Sequence, residues 1–149
     1  MKKKTPSKKY NQGKAHTSKV NEPAAMYRSI KILPTVQDFP YKKFEKIANR
    51  VPFTQKEWAS ILHLSEKTLQ RYSKDNKSFE GIYVDRILKM QELIEMGLDT
   101  FTSPEAFYRW LKREKPMLGV LLSFSDLLSG EGIQQHINAL GRMQHGVII

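Results

Sequence analysis

The sequence predicts an all-α protein, and three features of its 149 residues carry that prediction. Beyond Phe39, apolar residues recur at intervals of three and four, which is the period of an amphipathic helix. Ser or Thr precedes several of these stretches, where a side-chain oxygen can cap a helix. Only the β-branched end, residues 147–149, is typical of a strand. We therefore expect an N-terminal helix-turn-helix bundle followed by a small helical domain.

The front of the chain differs from the rest in composition and charge. Residues 1–35 are rich in Lys, Ser, Asn, Gly and Pro, which is typical of a disordered arm. The net charge of +10 is concentrated there, since residues 1–31 hold nine basic residues and one acidic residue. Residues 32–96 hold eleven basic and nine acidic residues, and residues 97–149 hold five of each. A gradient of this kind is expected where the front meets a polyanion. A lysine-rich arm that only keeps the protein in solution is the alternative.

Several classes of function are not supported by the sequence. The chain has no cysteine, which excludes disulfides, thiolate metal sites and cysteine nucleophiles. Its longest apolar run, residues 117–122, is too short for a membrane span, and no apolar stretch follows the first lysines as in a signal peptide. The four histidines lack zinc-ligand spacing, and we expect His136 and His145 to be polar surface or helix-end residues. The sequence thus predicts a cytoplasmic protein that is not an enzyme and has no metal, cofactor or membrane partner.

Residues 54–72, TQKEWASILHLSEKTLQRY, have the organisation of a helix-turn-helix. Ala59 is a small residue where two helices must cross closely, and Leu62 and Leu69 can pack between them. His63 stands in the turn, where such motifs usually have glycine. We expect a left-handed backbone there, which histidine adopts at some strain. Two amphipathic helices of an ordinary bundle are the alternative interpretation.

The second helix of this motif would enter the major groove of DNA with its first residues on base edges. Arg can pair bidentately with guanine and Gln with adenine, whereas Lys, Ser and Thr mostly hold phosphates. A repressor on a palindromic operator needs two-fold symmetry, so we expect a homodimer formed through the helices that follow, within residues 36–96. The predicted DNA-binding residues are Ser65, Glu66, Lys67, Thr68, Gln70, Arg71 and Lys74.

Helix boundaries are predicted from capping residues. Thr54 and Glu57 have the spacing of a capping box, and Ser65 can cap the next helix. A long helix is expected from about residue 81 to residue 96, with Gly97 placed to end it. Three further signals downstream are Ser103-Pro104-Glu105 at a helix start, Ser123 with Asp126 at a short turn, and the stripe Ile133, Ile137, Leu140 on a last helix that Gly146 can end.

The carboxyl-terminal part carries a series of motifs between residues 97 and 148. They are Phe101, Ser103-Pro104-Glu105-Ala106, Trp110-Leu111, Leu118-Gly119, Asp126-Leu127-Leu128, Gly132, Leu140-Gly141-Arg142-Met143 and Gly146-Val147. This stretch resembles the toxin-binding domain of the Xre/MbcA/ParS family of type II antitoxins. In that family an Xre-like helix-turn-helix precedes this domain, and residues 54–72 occupy that place. Phe124 departs from the family, which usually has proline near this position.

The resemblance implies a partner rather than a substrate. Members of the family neutralise a cognate toxin with a RES domain, which degrades NAD or uses it for ADP-ribosylation, and they repress their own promoter. The carboxyl-terminal region of the antitoxin covers the nucleotide-binding site of the toxin. The implied partners are therefore the toxin, operator DNA and a second copy of the chain, in a toxin–antitoxin hetero-oligomer. The implied toxin-binding residues are Arg142, His145, Gly146, Val147, Ile148 and Ile149.

Two alternatives to this interpretation stay open. The apolar end can be a strand packed on the protein's own helices, because β-branched residues suit both roles. The whole chain can also be a free-standing transcriptional repressor that has no toxin partner. The domain boundaries that we predict are a basic arm at 1–35, the helix-turn-helix with dimerisation helices at 36–96, and the toxin-binding domain at 97–149.

Overall fold

Residues 38–146 are the part of the chain that the computed structural model describes. The basic arm and the terminal residues Val147, Ile148 and Ile149 lie outside it, so the predictions made for them stay predictions. The described residues confirm the helical fold class. The elements are α1 (Tyr41–Ala48), α2 (Gln55–Ile61), α3 (Glu66–Asp75), α4 (Gly81–Thr100), α5 (Pro104–Lys112), β1 (Lys115–Met117), β2 (Val120–Leu122), a 3-10 helix (Phe124–Leu128) and α6 (Gly130–Gln144). None of the helices between residues 38 and 146 is both long and apolar enough to cross a bilayer.

The predicted capping residues are confirmed at three helix starts. Thr54 Oγ1 accepts a hydrogen bond from the backbone N–H of Glu57 at 3.1 Å, and Glu57 Oε2 accepts from the backbone N–H of Thr54 at 2.9 Å. Ser65 and Ser103 each accept from the backbone N–H three residues on, at 3.0 and 3.1 Å. Each bond satisfies a backbone donor that has no partner within the helix, which fixes where the helix begins.

The hydrophobic core is continuous from α1 to α6, and α4 lies at its centre. Ile87 and Ile94 of α4 are completely buried, and α6 packs along this helix with Ile133 and Leu140, which are equally buried. Complete burial of one such side chain stabilises a fold by about 1.5–3 kcal/mol. The helix-turn-helix joins the same cluster through Ile61, Leu62 and Leu69. The helix-turn-helix and the carboxyl-terminal helices are thus stabilised by shared side chains.

The predicted end of the long helix at Gly97 is wrong. Helix α4 continues to Thr100, and Phe101 takes an extended conformation (φ −103°) as its C-cap. A Cβ atom at Gly97 would overlap the ring of Phe107 on α5, so glycine is required here for the close approach of two helices. A glycine near a helix end has the same sequence pattern whether it is a left-handed cap or a point of close helix contact, so the sequence does not separate the two roles. The predicted domain boundary at residue 97 lies inside this helix.

The prediction that only the chain end is typical of a strand is also wrong. β1 and β2 form an antiparallel hairpin in which Lys115 pairs with Leu122 and Met117 with Val120. Leu118 (φ 51°) and Gly119 (φ 81°) form its two-residue turn, and both have the positive φ of a type I′ turn. Strands of three residues are too short to show an alternating pattern, and leucine is a rare residue at positive φ. The hairpin therefore has no clear signature in the sequence.

Candidate nucleic-acid interface

The helix-turn-helix consists of α2, the turn at residues 62–65, and α3. Ala59, Leu62 and Leu69 are 1–2% exposed, as their predicted positions between the two helices require. His63 has the predicted left-handed backbone (φ 57°). The N–H of Leu64 donates to the carbonyl oxygen of Ala59 at 2.9 Å, which closes the turn. The motif thus has a rigid base on which α3 is presented.

The outer face of α3 holds the predicted DNA-binding residues. Leu69 and Tyr72 are buried on the opposite face, so the helix is clearly two-sided. The face carries three basic side chains and one acid, which gives it a positive charge suited to a phosphate backbone. Thr68 is half-buried, and the exposed residues are Ser65, Glu66, Lys67, Gln70, Arg71 and Lys74.

Ser65 and Thr68 are also engaged in stabilising the start of α3. Ser65 Oγ accepts from the backbone N–H of Thr68 and donates to Thr68 Oγ1 at 2.8 Å. The hydroxyl hydrogen of Ser65 is therefore occupied, while that of Thr68 is available for a phosphate oxygen. Gln70 is held from the side, because its Nε2 donates to Oε1 of Gln55, the first residue of α2, at 3.4 Å. Gln55 was not among the predicted residues.

The start of α1 lies beside the end of α3. Tyr41 N–H donates to the carbonyl oxygen of Lys77 at 3.0 Å, and Lys42 N–H donates to Asn76 Oδ1 at 3.1 Å. Asn76 has a left-handed backbone (φ 46°), which turns the chain back toward α1. The exposed lysines gathered at this junction are Lys42, Lys43, Lys74 and Lys77. Only Lys74 was predicted from the sequence, because α1 is distant from α3 along the chain.

A hydrogen-bonded ion pair joins α2 to α5. Glu57 forms a salt bridge with Lys112, and Tyr108 Oη donates to Glu57 Oε1 at 2.9 Å. Burial by itself raises the pKa of the Glu57 carboxyl, but the bonds from Lys112, Thr54 and Tyr108 outweigh it and hold the pKa below its ordinary value. The same carboxylate that caps α2 is therefore bound to the carboxyl-terminal part of the chain.

Phe124, at which the sequence resemblance of residues 97–148 is imperfect, takes part in the same contact. Its ring centroid lies 5.7 Å from that of Phe53, and the ammonium of Lys112 lies 4.0 Å from its centroid. A proline at this position would lack the aromatic face that a cation binds. Phe124 thus adds a contact between the 3-10 helix and the segment before α2.

The strained turn residue His63 makes a second connection. Its Nε2 lies 2.7 Å from the carbonyl oxygen of Leu128, at the end of the 3-10 helix. A carbonyl oxygen only accepts, so Nε2 carries a hydrogen. Arg86 of α4 donates to the same oxygen from Nη1. The left-handed turn therefore directs a histidine onto the carboxyl-terminal part of the fold.

The expectation that His136 is a polar surface or helix-end residue is wrong. His136 is completely buried, and its Nδ1 lies 2.8 Å from the carbonyl oxygen of Gly132 one turn earlier. That carbonyl can only accept, so Nδ1 carries the hydrogen, and Nε2 has no hydrogen-bond partner among residues 38–146. Burial lowers the pKa of this histidine to about 4. The ring packs edge-on against Trp110, which places it in the core rather than at a surface.

The other buried basic residue among residues 38–146 is Lys115. Its Nζ donates to the carbonyl oxygens of Trp110 and Arg113, at 2.8 and 2.9 Å, and so satisfies the last carbonyls of α5. Burial lowers the pKa of this ammonium to about 8. The ammonium also lies 4.3 Å from the Trp110 ring centroid. Lys115 therefore has a clear structural role at the point where α5 leads into the hairpin.

The predicted toxin-binding residues within the described part lie together at the end of α6. His145 is its C-cap and Gly146 has a left-handed backbone (φ 70°), which confirms Gly146 as the helix end. Both are exposed, and Arg142 is half-buried one turn earlier. Arg142 also lines a groove of about 220 Å³, together with Met117, Leu118, Val120, Leu122, Gln135 and Asn138. Arg142, His145 and Gly146 therefore lie together because they form the last turn of α6 and the residues just after it.

The geometry of α2 and α3 agrees with a comparison against known families. Residues 33–92 match the antitoxin Xre-like helix-turn-helix domain. The matched stretch spans α1, α2, α3 and more than half of α4. This match supports the predicted DNA-binding antitoxin or repressor. Comparison of the whole chain with curated proteins gave no match. The toxin-binding resemblance of residues 97–148 stays a prediction.

Proposed function

We propose that this chain is the antitoxin of a type II toxin–antitoxin system with a RES-domain toxin. In this proposal the chain acts in the cytoplasm, as a homodimer that represses its own operon and as part of a hetero-oligomer with the toxin. The Xre-like domain, with its polar α3 face, is the observation that supports an antitoxin that binds DNA. The sequence resemblance of residues 97–148 supports the choice of toxin.

The DNA-binding half of the proposal assigns base reading to α3. Arg71 and Gln70 project from its exposed face, where they can pair with guanine and adenine. Replacing Arg71 by alanine should weaken operator binding and relax sequence preference, since a good bidentate base contact is worth about 1–3 kcal/mol. Fluorescence anisotropy with operator and scrambled duplexes measures both. Unchanged affinity and unchanged selectivity in Arg71→Ala and in Gln70→Ala would remove α3 from base recognition.

The toxin-binding half assigns neutralisation to the end of α6 and the residues after it. Arg142 and His145 supply basic and polar groups near Gly146, and the apolar end of the chain would enter the nucleotide cleft of the toxin. In this proposal the apolar side chains of Val147, Ile148 and Ile149 carry the contact, because a cleft built for an anionic dinucleotide presents groups that bind negative charge and does not favour a guanidinium.

Co-expression tests this half directly. The chain and the product of a neighbouring RES-domain gene should co-purify on size exclusion, and the NAD content of the cells should be preserved. The same toxin expressed alone should deplete NAD or ADP-ribosylate its target. A free-standing repressor, the alternative function, would bind operator DNA equally well but would neither co-purify with the toxin nor protect NAD.

A further inference from the structure

The side chain that is proposed to read adenine is held in place by a residue of the preceding helix. Gln70 projects from the exposed face of α3, and its Nε2 lies 3.4 Å from Oε1 of Gln55 at the first position of α2. Gln55 is exposed as well, so the bond does not arise from packing in the core. It joins the two helices of the motif on their solvent side.

The bond leaves Gln70 able to recognise a base. A primary amide has two N–H donors and an oxygen with two lone pairs, and Gln55 occupies one of these groups. If the hydrogen bond runs the other way, with Gln55 as donor, it uses one lone pair of the Gln70 oxygen instead of one Gln70 hydrogen. In either sense it retains an N–H and a lone pair, the two groups that bind N7 and the N6 amino group of adenine.

The bond also restricts the conformation of Gln70 before DNA arrives. Glutamine is among the side chains that lose most rotamer freedom when they are ordered, and this loss opposes binding. A side chain that is already held in one orientation loses less conformational entropy when it binds a base, and this preorganisation favours binding. The effect falls only on contacts that Gln70 itself makes.

We propose that Gln55 is a positioning residue for base selection, which holds the Gln70 amide in the orientation that reads adenine. The inference rests on the proposed DNA binding and names a residue of α2 that does not itself have to contact a base. Removing Gln55 should reduce discrimination at the base pair read by Gln70 and leave discrimination at the other base pairs unchanged.

The test uses the full-length chain and a duplex selected from a random library by the unaltered protein. A set of duplexes, each changed at one base pair, then gives the preference at every position by fluorescence anisotropy. Gln55→Met removes the amide at nearly constant size. Gln55→Glu retains an acceptor for the Gln70 Nε2 but adds a negative charge, which should weaken binding to all duplexes alike and preserve the preference.

The expected result is specific to one position. Gln70→Ala should reduce the adenine preference by roughly 5- to 140-fold, the range of one bidentate contact. Gln55→Met should reduce that preference by roughly 2- to 12-fold, the range of one neutral hydrogen bond, with an unchanged melting temperature. In the Gln70→Ala background, Gln55→Met should have no further effect on the preference.

Three results would overturn the inference, and they differ from a failure of the proposed function. An unchanged preference in Gln55→Met would show that the bond does not direct Gln70. A loss of preference spread over all positions, or an equal loss in the Gln70→Ala background, would assign Gln55 a contact of its own. Absence of a preference for any duplex in the unaltered protein would instead refute sequence-specific DNA binding, and this inference with it.

Discussion

The buried histidine of α6 should make the stability of the fold depend on pH. His136 has a pKa of about 4 in the folded chain, against an ordinary value of 6.5. Between these values the unfolded chain binds a proton that the folded chain does not, so stability falls as the pH falls through this window. This pKa shift corresponds to about 3 kcal/mol of the free energy of unfolding in total. The free energy of unfolding should fall by about 2 kcal/mol between pH 7 and pH 5.

The charge of Lys115 stays constant in this window. Lys115 has a lowered pKa of about 8, so it is already protonated in the folded chain below pH 7 and contributes a constant term there. Burial is the main cause of the shift at His136, and the charges of Lys115 and Asp126 act on it in opposite directions. The slope of stability between pH 7 and pH 5 therefore reports mainly on the histidine.

Urea unfolding of the full chain at several pH values measures this slope. His136→Gln replaces the imidazole by a group that does not titrate, so the free energy of unfolding should lose most of its slope between pH 7 and pH 5, whatever its absolute value. His145→Gln is the matched control, since His145 is exposed on the same helix and its replacement should leave the slope intact. Equal slopes in the unaltered chain and in His136→Gln would refute the assignment of a buried neutral histidine.

Three further predictions concern other parts of the chain. Gly97→Ala should lower the free energy of unfolding by about 1–3 kcal/mol because its methyl group overlaps the α5 core, whereas Gly81→Ala, which meets no atom within 4 Å, should not; equal thermal melting curves would contradict this. Lys112→Met removes the ion pair with α2 and should lower the free energy of unfolding by about 1 kcal/mol in urea titrations. Arg50→Met removes a more exposed ion pair and should leave that free energy nearly unchanged. Deleting residues 1–20, which hold seven lysines, should flatten the salt dependence of DNA binding and leave operator preference intact, whereas an unchanged slope would assign the arm to solubility alone.

Local features of the fold could be predicted from the sequence. The capping box of Thr54 and Glu57 and the cap at Ser65 involve residues three positions apart, so their spacing is visible along the chain. The left-handed turn at His63 was predicted from its place between two amphipathic helices. The exposed face of α3 followed from the burial of Leu69 on the other side.

Features that depend on distant residues could not be predicted. The role of Gly97 is decided by Phe107 on another helix, and a glycine that ends a helix has the same sequence context. His136 is buried and packs against Trp110 of another helix, although its neighbours along α6 include polar residues. The contact of His63 with Leu128 joins residues 65 positions apart, and nothing near either residue indicates it. The same is true of Gln55, which becomes relevant only when α2 and α3 are placed side by side.

Removal of residues 146–149 tests the central claim most directly. The truncated chain should melt at nearly the same temperature and bind operator DNA as before, yet no longer inhibit consumption of NAD by the RES-domain toxin in a reconstituted mixture. Side chains of the size of Val and Ile stabilise whatever buries them by about 1.5–3 kcal/mol each, so the loss should be large. A truncated chain that still silences the toxin completely, or one that melts many degrees lower, would contradict the account.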